Sequence, residues 1–443
     1  MEGIHSVKDL IQKSDWMIKI DLTDAYLTVP VLKQHQKYVQ FQWQGKTYQF
    51  QVLPFGISVA PLVFTKLIKV PASFLRRLGI RLVVYLDDIL ILNQSKEKCQ
   101  LEAQLTVRLL QSLGFLINEK KSVFVPSQQM LFLGFLVNSV DMSLSLPTPK
   151  IKKIQKLCKE VKNSVKITVK KLSELIGNLT ASIQAIFPAP LHYRHLQVEK
   201  NQRLNQTLSY NSELVLSQKA QNELNWWIHQ LIHWNGRSLI SIQPSVIIQT
   251  DASNVGWGAV MNKVSIGGPW LQSEKSFHIN ALELIAVTHA VKSFLKDRHN
   301  LQVLIQTDNI TTMTYINKMG GTVSKVCNKL ALELWTWCLQ KDIVLKADFI
   351  PGRENLIADW ESRHHSDSSN WKLHSKVFNS LMKQTMTCNI DLFADRSNNQ
   401  LQTYISWLPD PGALAFNALL HPWTSFKAYA FPPFCLIAQC LKK

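Results

Sequence analysis

Leu82-Val83-Val84-Tyr85-Leu86-Asp87-Asp88-Ile89-Leu90-Ile91-Leu92 sets two adjacent carboxylates between two short apolar runs rich in β-branched residues. Such runs read as buried strands, and the acidic pair between them reads as the tight turn of a hairpin. Neighbouring like charges repel, and partial burial makes the repulsion worse. A divalent cation removes that cost. Carboxylate oxygens suit Mg²⁺, which keeps several waters and takes further ligands from substrate phosphates. The competing reading is a solvated turn, where aspartate is common.

Upstream, Val7, Leu10 and Ile11 predict a helix over residues 7–15, and Trp16-Met17-Ile18-Lys19-Ile20 predicts a strand that ends at Asp21. An acid at the end of a buried strand is well placed to meet Asp87 and Asp88. Three converging carboxylates would supply a two-ion site, with one ion activating the attacking oxygen and the other stabilising the leaving oxygen. Asp21 could equally cap a following helix. Residues 38–43 and 47–52 alternate in period two across Gln44-Gly45-Lys46, a hairpin signature. The hairpin delivers the corner Pro54-Phe55-Gly56, where glycine allows close backbone approach to a ligand.

Lys19-Ile20-Asp21-Leu22-Thr23-Asp24-Ala25-Tyr26, then Leu53-Pro54-Phe55-Gly56-Ile57-Ser58-Val59-Ala60-Pro61, then Tyr85-Leu86-Asp87-Asp88 resemble motifs A, B and C of reverse transcriptases, in that order. The resemblance implies that Asp21, Asp87 and Asp88 bind two Mg²⁺ (or Mn²⁺) ions for phosphodiester formation. It also implies that Tyr26 lies under the incoming sugar and excludes a 2′-OH, the handle by which RNA is told from DNA; core packing is a second role open to this ring. Phe55 and Gly56 are implied to lie against the nascent base pair and template. Residues 113–122 resemble motif D, whose lysine is best matched by Lys121 and would protonate the departing pyrophosphate; a solvated turn lysine is the alternative. Leu133-Gly134-Phe135 resembles the hairpin that grips the primer end, with an ordinary strand carrying a glycine bulge as the alternative. Twenty residues precede Asp21. The family's fingers strands normally lie further upstream, so only partial fingers are expected, with weakened nucleotide binding.

The 443 residues suggest about three domains. A hydrophobic fraction of 46% allows a packed core, and a net charge of +18 points to a polyanionic partner. Seven scattered cysteines without a CxxC pair disfavour zinc and a disulfide framework and fit a reducing compartment. The N-terminus lacks a signal-peptide core, and no uninterrupted apolar stretch reaches the ~20 residues of a membrane span. An intracellular chain, cytoplasmic or nuclear and not secreted, is expected.

After Pro147 and Pro149, nine lysines from Lys150 to Lys171 accompany one acid, Glu160, while Ile151, Ile154, Leu157 and Val161 recur at helical spacing. An amphipathic helix with a lysine face positions a phosphate backbone without reading sequence, and its affinity should fall steeply with salt. A merely solvated basic face is the alternative. A second helix is expected over residues 172–185. A third, over residues 222–234, is expected to pack against the next domain. The family's thumb and connection occupy this region.

From residue 246 the pattern changes to strand, strand, strand, helix, strand, helix. Acids stand at Asp251, Glu283, Asp308 and Asp359. Each has a local explanation: Asp308 as a helix cap, Glu283 as a capping-box partner of Asn280, Asp359 as an ion-pair partner of Arg363. The order of all four resembles ribonuclease H, and Ile350-Pro351-Gly352-Arg353-Glu354-Asn355-Leu356-Ile357-Ala358-Asp359 is similar to the retroelement form of that family. The resemblance implies two Mg²⁺ ions held by the four acids, one generating hydroxide and the other stabilising the leaving 3′ oxygen. Phe349 replaces the mobile histidine of many ribonucleases H, and His364 is a candidate substitute.

A polar linker is expected at residues 366–369. Residues 389–394, 407–412 and 429–434 then resemble the extension of DIRS-like tyrosine-recombinase retrotransposons. Phe431-Pro432-Pro433-Phe434 is similar to the Asp-Pro-Pro-Tyr box of adenine methyltransferases. Its first position is neither acidic nor amide, and no glycine-rich cofactor loop accompanies it. A small packing module is the alternative.

The expected architecture is α+β and α/β multidomain: a palm with partial fingers (1–145), a basic helical thumb and connection (146–243), a ribonuclease H-like mixed-sheet domain (244–364) and an extension of unknown role (365–443). The expected function is RNA-directed DNA polymerase coupled to hybrid ribonuclease. The expected partners are an RNA template, RNA–DNA hybrid, DNA primer and deoxynucleoside triphosphates, with no membrane. Two alternatives remain: a remnant with only ribonuclease H activity, and a non-catalytic nucleic-acid-binding protein.

Overall fold

The acidic pair closes a hairpin, as the apolar runs on either side require. The structure, a computed structural model, describes residues 1–240, 243–365, 371–384 and 387–443 in two units, Met1–Ser241 and Ile242–Lys443. The first unit opens with helix α1 (Ile4–Leu10), strand β1 (Trp16–Thr23), hairpin β2 (Gln40–Trp43) and β3 (Lys46–Gln49), and helix α2 (Ala60–Arg77). Hairpin β4 (Arg81–Tyr85) and β5 (Asp88–Asn93), helix α3 (Lys96–Ser112), β6 (Leu116–Ile117) and β7 (Val123–Ser127) follow. The sheet order is β4-β5-β1-β6, with β7 also paired to β1, and every pairing is antiparallel.

Both faces of this sheet are covered, so its strands read as continuous apolar runs rather than as an alternation. Ile18, Ile20, Leu82, Ile89 and Ile91 pack with Phe64, Ile68 and Leu75 of α2 and with Cys99, Ala103 and Leu110 of α3. Met17, Val83, Leu90 and Leu92 turn the other way, into a core that reaches Val161, Leu172, Trp227 and Leu239.

That second core is built by β8 (Gln129–Phe132), β9 (Phe135–Asn138), β10 (Ser143–Ser145), α4 (Thr148–Asn163), β11 (Ile167–Thr168), α5 (Val169–Thr180), α6 (Arg194–Thr207), β12 (Glu213–Leu214), α7 (Gln218–Gln230) and β13 (Arg237–Ser238). Leu133 and Gly134, at φ 49° and 76°, form the β8–β9 turn, so Gly134 is a hairpin glycine and not a bulge. On α4, Ile151, Ile154, Cys158 and Val161 are buried while Lys152, Lys153, Lys156, Lys159 and Lys162 stay exposed. Lys150 lies 4.6 Å over the Phe135 ring, and Lys171, still solvated, pairs with Glu160. The aromatic-rich helix α7 buries Trp227 in the core of its own unit, where the indole N–H donates to the His192 carbonyl.

The second unit carries β14 (Val246–Ala252), β15 (Gly256–Met261), β16 (Val264–Pro269), α8 (Ile279–Phe294), β17 (Leu301–Thr307), α9 (Ile310–Asn317), α10 (Lys325–Leu339), β18 (Ile343–Phe349) and α11 (Leu356–Arg363). The sheet order is β16-β15-β14-β17-β18. The first three strands are antiparallel and β14, β17 and β18 parallel, so the sheet is mixed, as expected. Helix α11 crosses the glycines of β15 and β16 so closely that a Cβ on Gly258 would sit 2.2 Å from the Ala358 carbonyl oxygen.

After helix α12 (Ser375–Gln384), the tail docks on this sheet domain. Arg396 Nη2 donates to Glu274 Oε1 at 2.7 Å, and Lys296 Nζ reaches the Ala413 and Leu414 carbonyls. The linker expected at 366–369 lies outside the described residues. Among the described residues no helix is long and apolar enough to cross a membrane.

Candidate functional site: two carboxylate centres

Antiparallel pairing of β1 with β5 sets Asp21 opposite Asp88, and the β4–β5 turn, Leu86-Asp87, stands beside them. Leu86 is left-handed at φ 55°, a conformation that costs a side-chain-bearing residue roughly 1–2 kcal/mol. Asp21 lies inside β1, which runs on to Thr23, so it caps no helix. Its N–H donates to Ser122 Oγ at 3.0 Å and its carbonyl accepts from the Asn118 N–H at 2.8 Å, which pins the strand end.

Asp21 is 5% exposed, and its carboxyl Oδ1 has no hydrogen-bond partner among the described residues. Burial, then the Asp88 charge, pushes it above the usual carboxylate range, against the pull of Lys121 and Lys19. Lys19 Nζ lies 2.7 Å from Asp88 Oδ1. The Tyr26 ring stands 5.0 Å from Phe55 and 5.7 Å from Phe64, and its hydroxyl is raised by burial and then by Asp87. Phe55 is 59% exposed beside Gly56 at φ 90°. Lys121 is exposed in the turn after β6, near enough for its charge to act on Asp21.

In the second unit, ligand atoms of Asp251 on β14, Glu283 on α8 and Asp308 after β17 all lie within 4.8 Å of one another. Among the described residues this is the one three-carboxylate group that closes so tightly. Burial first, then Asp251 and Asp308, pushes the Glu283 carboxyl up to about 9. Asp251 and Asp308 are also raised, chiefly by burial. Asp251 Oδ2 and Glu283 Oε2 have no hydrogen-bond donor among the described residues.

Two local alternatives fall away. Asn309, not Asp308, caps α9, and His278 caps α8, leaving Glu283 buried in the helix body. The third holds: Asp359 stays outside the tight trio and accepts from Arg363 Nε and Nη2 at 2.8 and 2.7 Å. Its charge still raises Asp251 and Asp308. Phe349 is half exposed, while His364 stacks 4.7 Å from Trp360 and lines a cavity that includes none of the four acids. Buried carboxylate oxygens without donors, in an all-oxygen set, fit Mg²⁺ or Mn²⁺.

Sequence reasoning passed over Lys19, Ser122 and Asn355. Asn355 is 1% exposed and donates to the Thr250 carbonyl, tying the start of α11 to β14 beside Asp251. Lys19 and Asn355 both stand in motif stretches, two residues before Asp21 and four before Asp359.

Residues 1–137 match the family model for Reverse transcriptase (RNA-dependent DNA polymerase). The chain is 23% identical over 332 residues to the enzymatic polyprotein of cauliflower mosaic virus (strain D/H), covering 71% of this chain and 45% of that protein. It is 23% identical over 431 residues to the genome polyprotein of petunia vein clearing virus (isolate Shepherd), covering 93% and 18%. The putative enzymatic polyprotein of cassava vein mosaic virus is 22% identical over 379 residues, covering 79% and 53%. The chain thus spans about half the length, or less, of these curated relatives. Among solved structures it is similar to the foamy viral protease-reverse transcriptase in complex with RNA/DNA hybrid, at 16% identity and a TM-score of 0.47, covering 84% of this chain and 48% of that one. Residues 1–137 form a reverse transcriptase domain of the kind found in retroelement polyproteins.

Proposed function

We propose that the chain is a retroelement enzyme that copies RNA into DNA at Asp21, Asp87 and Asp88 and cuts the RNA strand of the hybrid at Asp251, Glu283, Asp308 and Asp359. The observation that carries this reading is the convergence of Asp251, Glu283 and Asp308 from three separate elements to within 4.8 Å, in a chain whose first part is a reverse transcriptase domain. The seven acids would hold Mg²⁺, or Mn²⁺, at the two centres. Bound there, a divalent ion supplies Lewis acidity for the attacking and leaving oxygens.

The chain's own residues do the rest. Phe55 and Phe64 fix the Tyr26 ring, which blocks a 2′-OH at the incoming sugar. Lys121 supplies a proton to the departing pyrophosphate. The exposed lysines of α4 hold the phosphate backbone of template, primer or hybrid. Arg363 orients the Asp359 carboxylate, and Asn355 holds α11 against β14.

A gel assay that separates primer extension from hybrid cleavage tests the proposal. Asp87→Asn should abolish extension and spare cleavage, and Glu283→Gln the reverse. Retention of both activities in both variants would overturn it. Two observations favour a second reading, in which only cleavage occurs: the palm acids do not close to the same distance, and Lys19 occupies Asp88. Cleavage without extension by the unaltered chain would decide for that reading. The tail supports placement in a DIRS-like element, tested by seeking a tyrosine-recombinase frame in the same element. The scattered cysteines support intracellular residence as part of this reading, and imaging a fluorescent fusion tests it.

A further inference from the structure

The second unit contains a cavity of about 720 Å³ that neither carboxylate centre uses. It lies between the end of β16, the C-terminal end of α11 and the tail. That volume suits an organic ligand. Five large rings line it: Trp360, Trp371, Phe393, Trp407 and Phe431. Trp360, Trp371 and Trp407 are 55%, 61% and 56% exposed, and one face of Trp360 is stacked on His364, which leaves its other face for a ligand.

The charge of the lining is opposite to that of the chain. With a net charge of +18 overall, the described lining residues include no lysine or arginine but three acids, Glu361, Asp395 and Asp410. Neutral groups hydrogen-bond these carboxylates. Ser265 Oγ donates to Glu361 at 2.6 Å, the Ser397 N–H to Asp395 at 2.6 Å, and the Tyr404 hydroxyl and Gly412 N–H to Asp410 at 2.5 and 2.9 Å. The nearby Arg396 side chain is committed to Glu274. A phosphate-bearing ligand would meet three like charges; among the described lining residues only the imidazoles of His364 and His365 could answer it, and the nearby Lys296 already acts on Asp410. A neutral ligand would gain nothing from the carboxylates. Aromatic faces backed by carboxylates are the chemistry that recognises an alkylated ammonium ion.

We propose that this cavity binds a trimethylammonium group, with indole faces around the cation and Glu361, Asp395 and Asp410 supplying the attractive field. The group would come from a trimethylated lysine on a protein or from a free choline-like molecule. This goes beyond polymerase and nuclease chemistry and does not depend on either.

The test is calorimetric titration of the full chain with choline, with a short peptide carrying trimethyllysine, and with three controls. The controls are the unmodified peptide, 3,3-dimethylbutanol as the neutral isostere of choline, and adenosine monophosphate. Saturable binding of a trimethylammonium probe is expected, at least tenfold tighter than any control. Trp407→Leu should weaken it at least tenfold without altering hybrid cleavage. Asp395→Asn should weaken the cation but not the neutral isostere. Tighter binding of the peptide than of choline assigns the group to a protein; equal affinity assigns it to the free molecule. The proposal is overturned by absence of saturable binding for both probes at millimolar concentration, by a control that binds as tightly, or by unaltered affinity in both variants.

Discussion

Asp21 and Asp88 face one another across β1 and β5, and Lys19, two residues before Asp21 on the same strand face, sets its Nζ 2.7 Å from Asp88 Oδ1. The lysine is a built-in counter-charge for an acidic pair that would otherwise repel. It occupies the carboxylate that a cation would need.

Lys19→Met should therefore lower stability in chelator and strengthen Mg²⁺ binding at the palm. With both side chains about one-fifth exposed, the loss expected in urea melts is about 1 kcal/mol. The Mg²⁺-induced rise in Tm should exceed that of the unaltered chain. An equal or smaller rise would show that Lys19 does not compete with the ion.

Metal binding at the second centre should release a proton. Glu283, held up to about 9 by burial and its acidic neighbours, is protonated at neutral pH in the ion-free fold. It must ionise to act as a ligand. Apparent Mg²⁺ affinity should rise with pH up to about 9, close to tenfold per unit where one proton is displaced. Calorimetry in two buffers of different ionisation enthalpy counts the proton, and Glu283→Gln should abolish the release.

Gly258 pairs with Asp251 in the sheet and faces α11, where an added methyl would lie 2.2 Å from a backbone oxygen. Gly258→Ala should push α11, and Asp359 with it, away from the trio. A loss of about 2–3 kcal/mol is expected. Hybrid cleavage should fall at least tenfold with primer extension unchanged. Equal loss of both activities would point to general unfolding instead.

The tail's attachment should be acid-labile. Burial alone would raise the Glu274 carboxyl, but the His289 hydrogen bond and the Arg396 charge override it and hold it at about 2, against an ordinary value of 4.5. A depressed carboxylate contributes stability above its unfolded value and loses it as pH falls through the folded one. The contribution is on the order of 3 kcal/mol, lost between about pH 4.5 and pH 2; it is shared between His289 of α8 and the tail's Arg396, so only part of it holds the tail. Limited proteolysis of residues 371–443 should accelerate over that range. Arg396→Met should shift the onset towards neutral pH.

Much of the fold was legible because its signals are local. Alternation at 40–49, the acidic hairpin at 85–88 and the apolar strand at 246–252 depend on neighbours in the chain. Other features were not. Strand β1 outran its apolar run because Asp21, Leu22 and Thr23 pair with β5 and β6, partners 65 or more residues away. Helix α7 packs within the first unit because Trp227 finds its hydrogen bond at His192. Helix α10 escaped notice because its Cys327, Leu334 and Trp335 read as an irregular apolar scatter until the sheet they cover is present.

The order of strands, helices and acids was determined by the sequence itself, since strand ends, turns and capping groups act over a few residues. Which acids actually meet was decided by tertiary structure alone. The crossing of β14, α8 and β17 gathers Asp251, Glu283 and Asp308, while Arg363 detains Asp359 and Lys19 answers Asp88. Burial and charge act through space, and a desolvated carboxylate responds to whatever lies within a few ångströms, however distant in the chain.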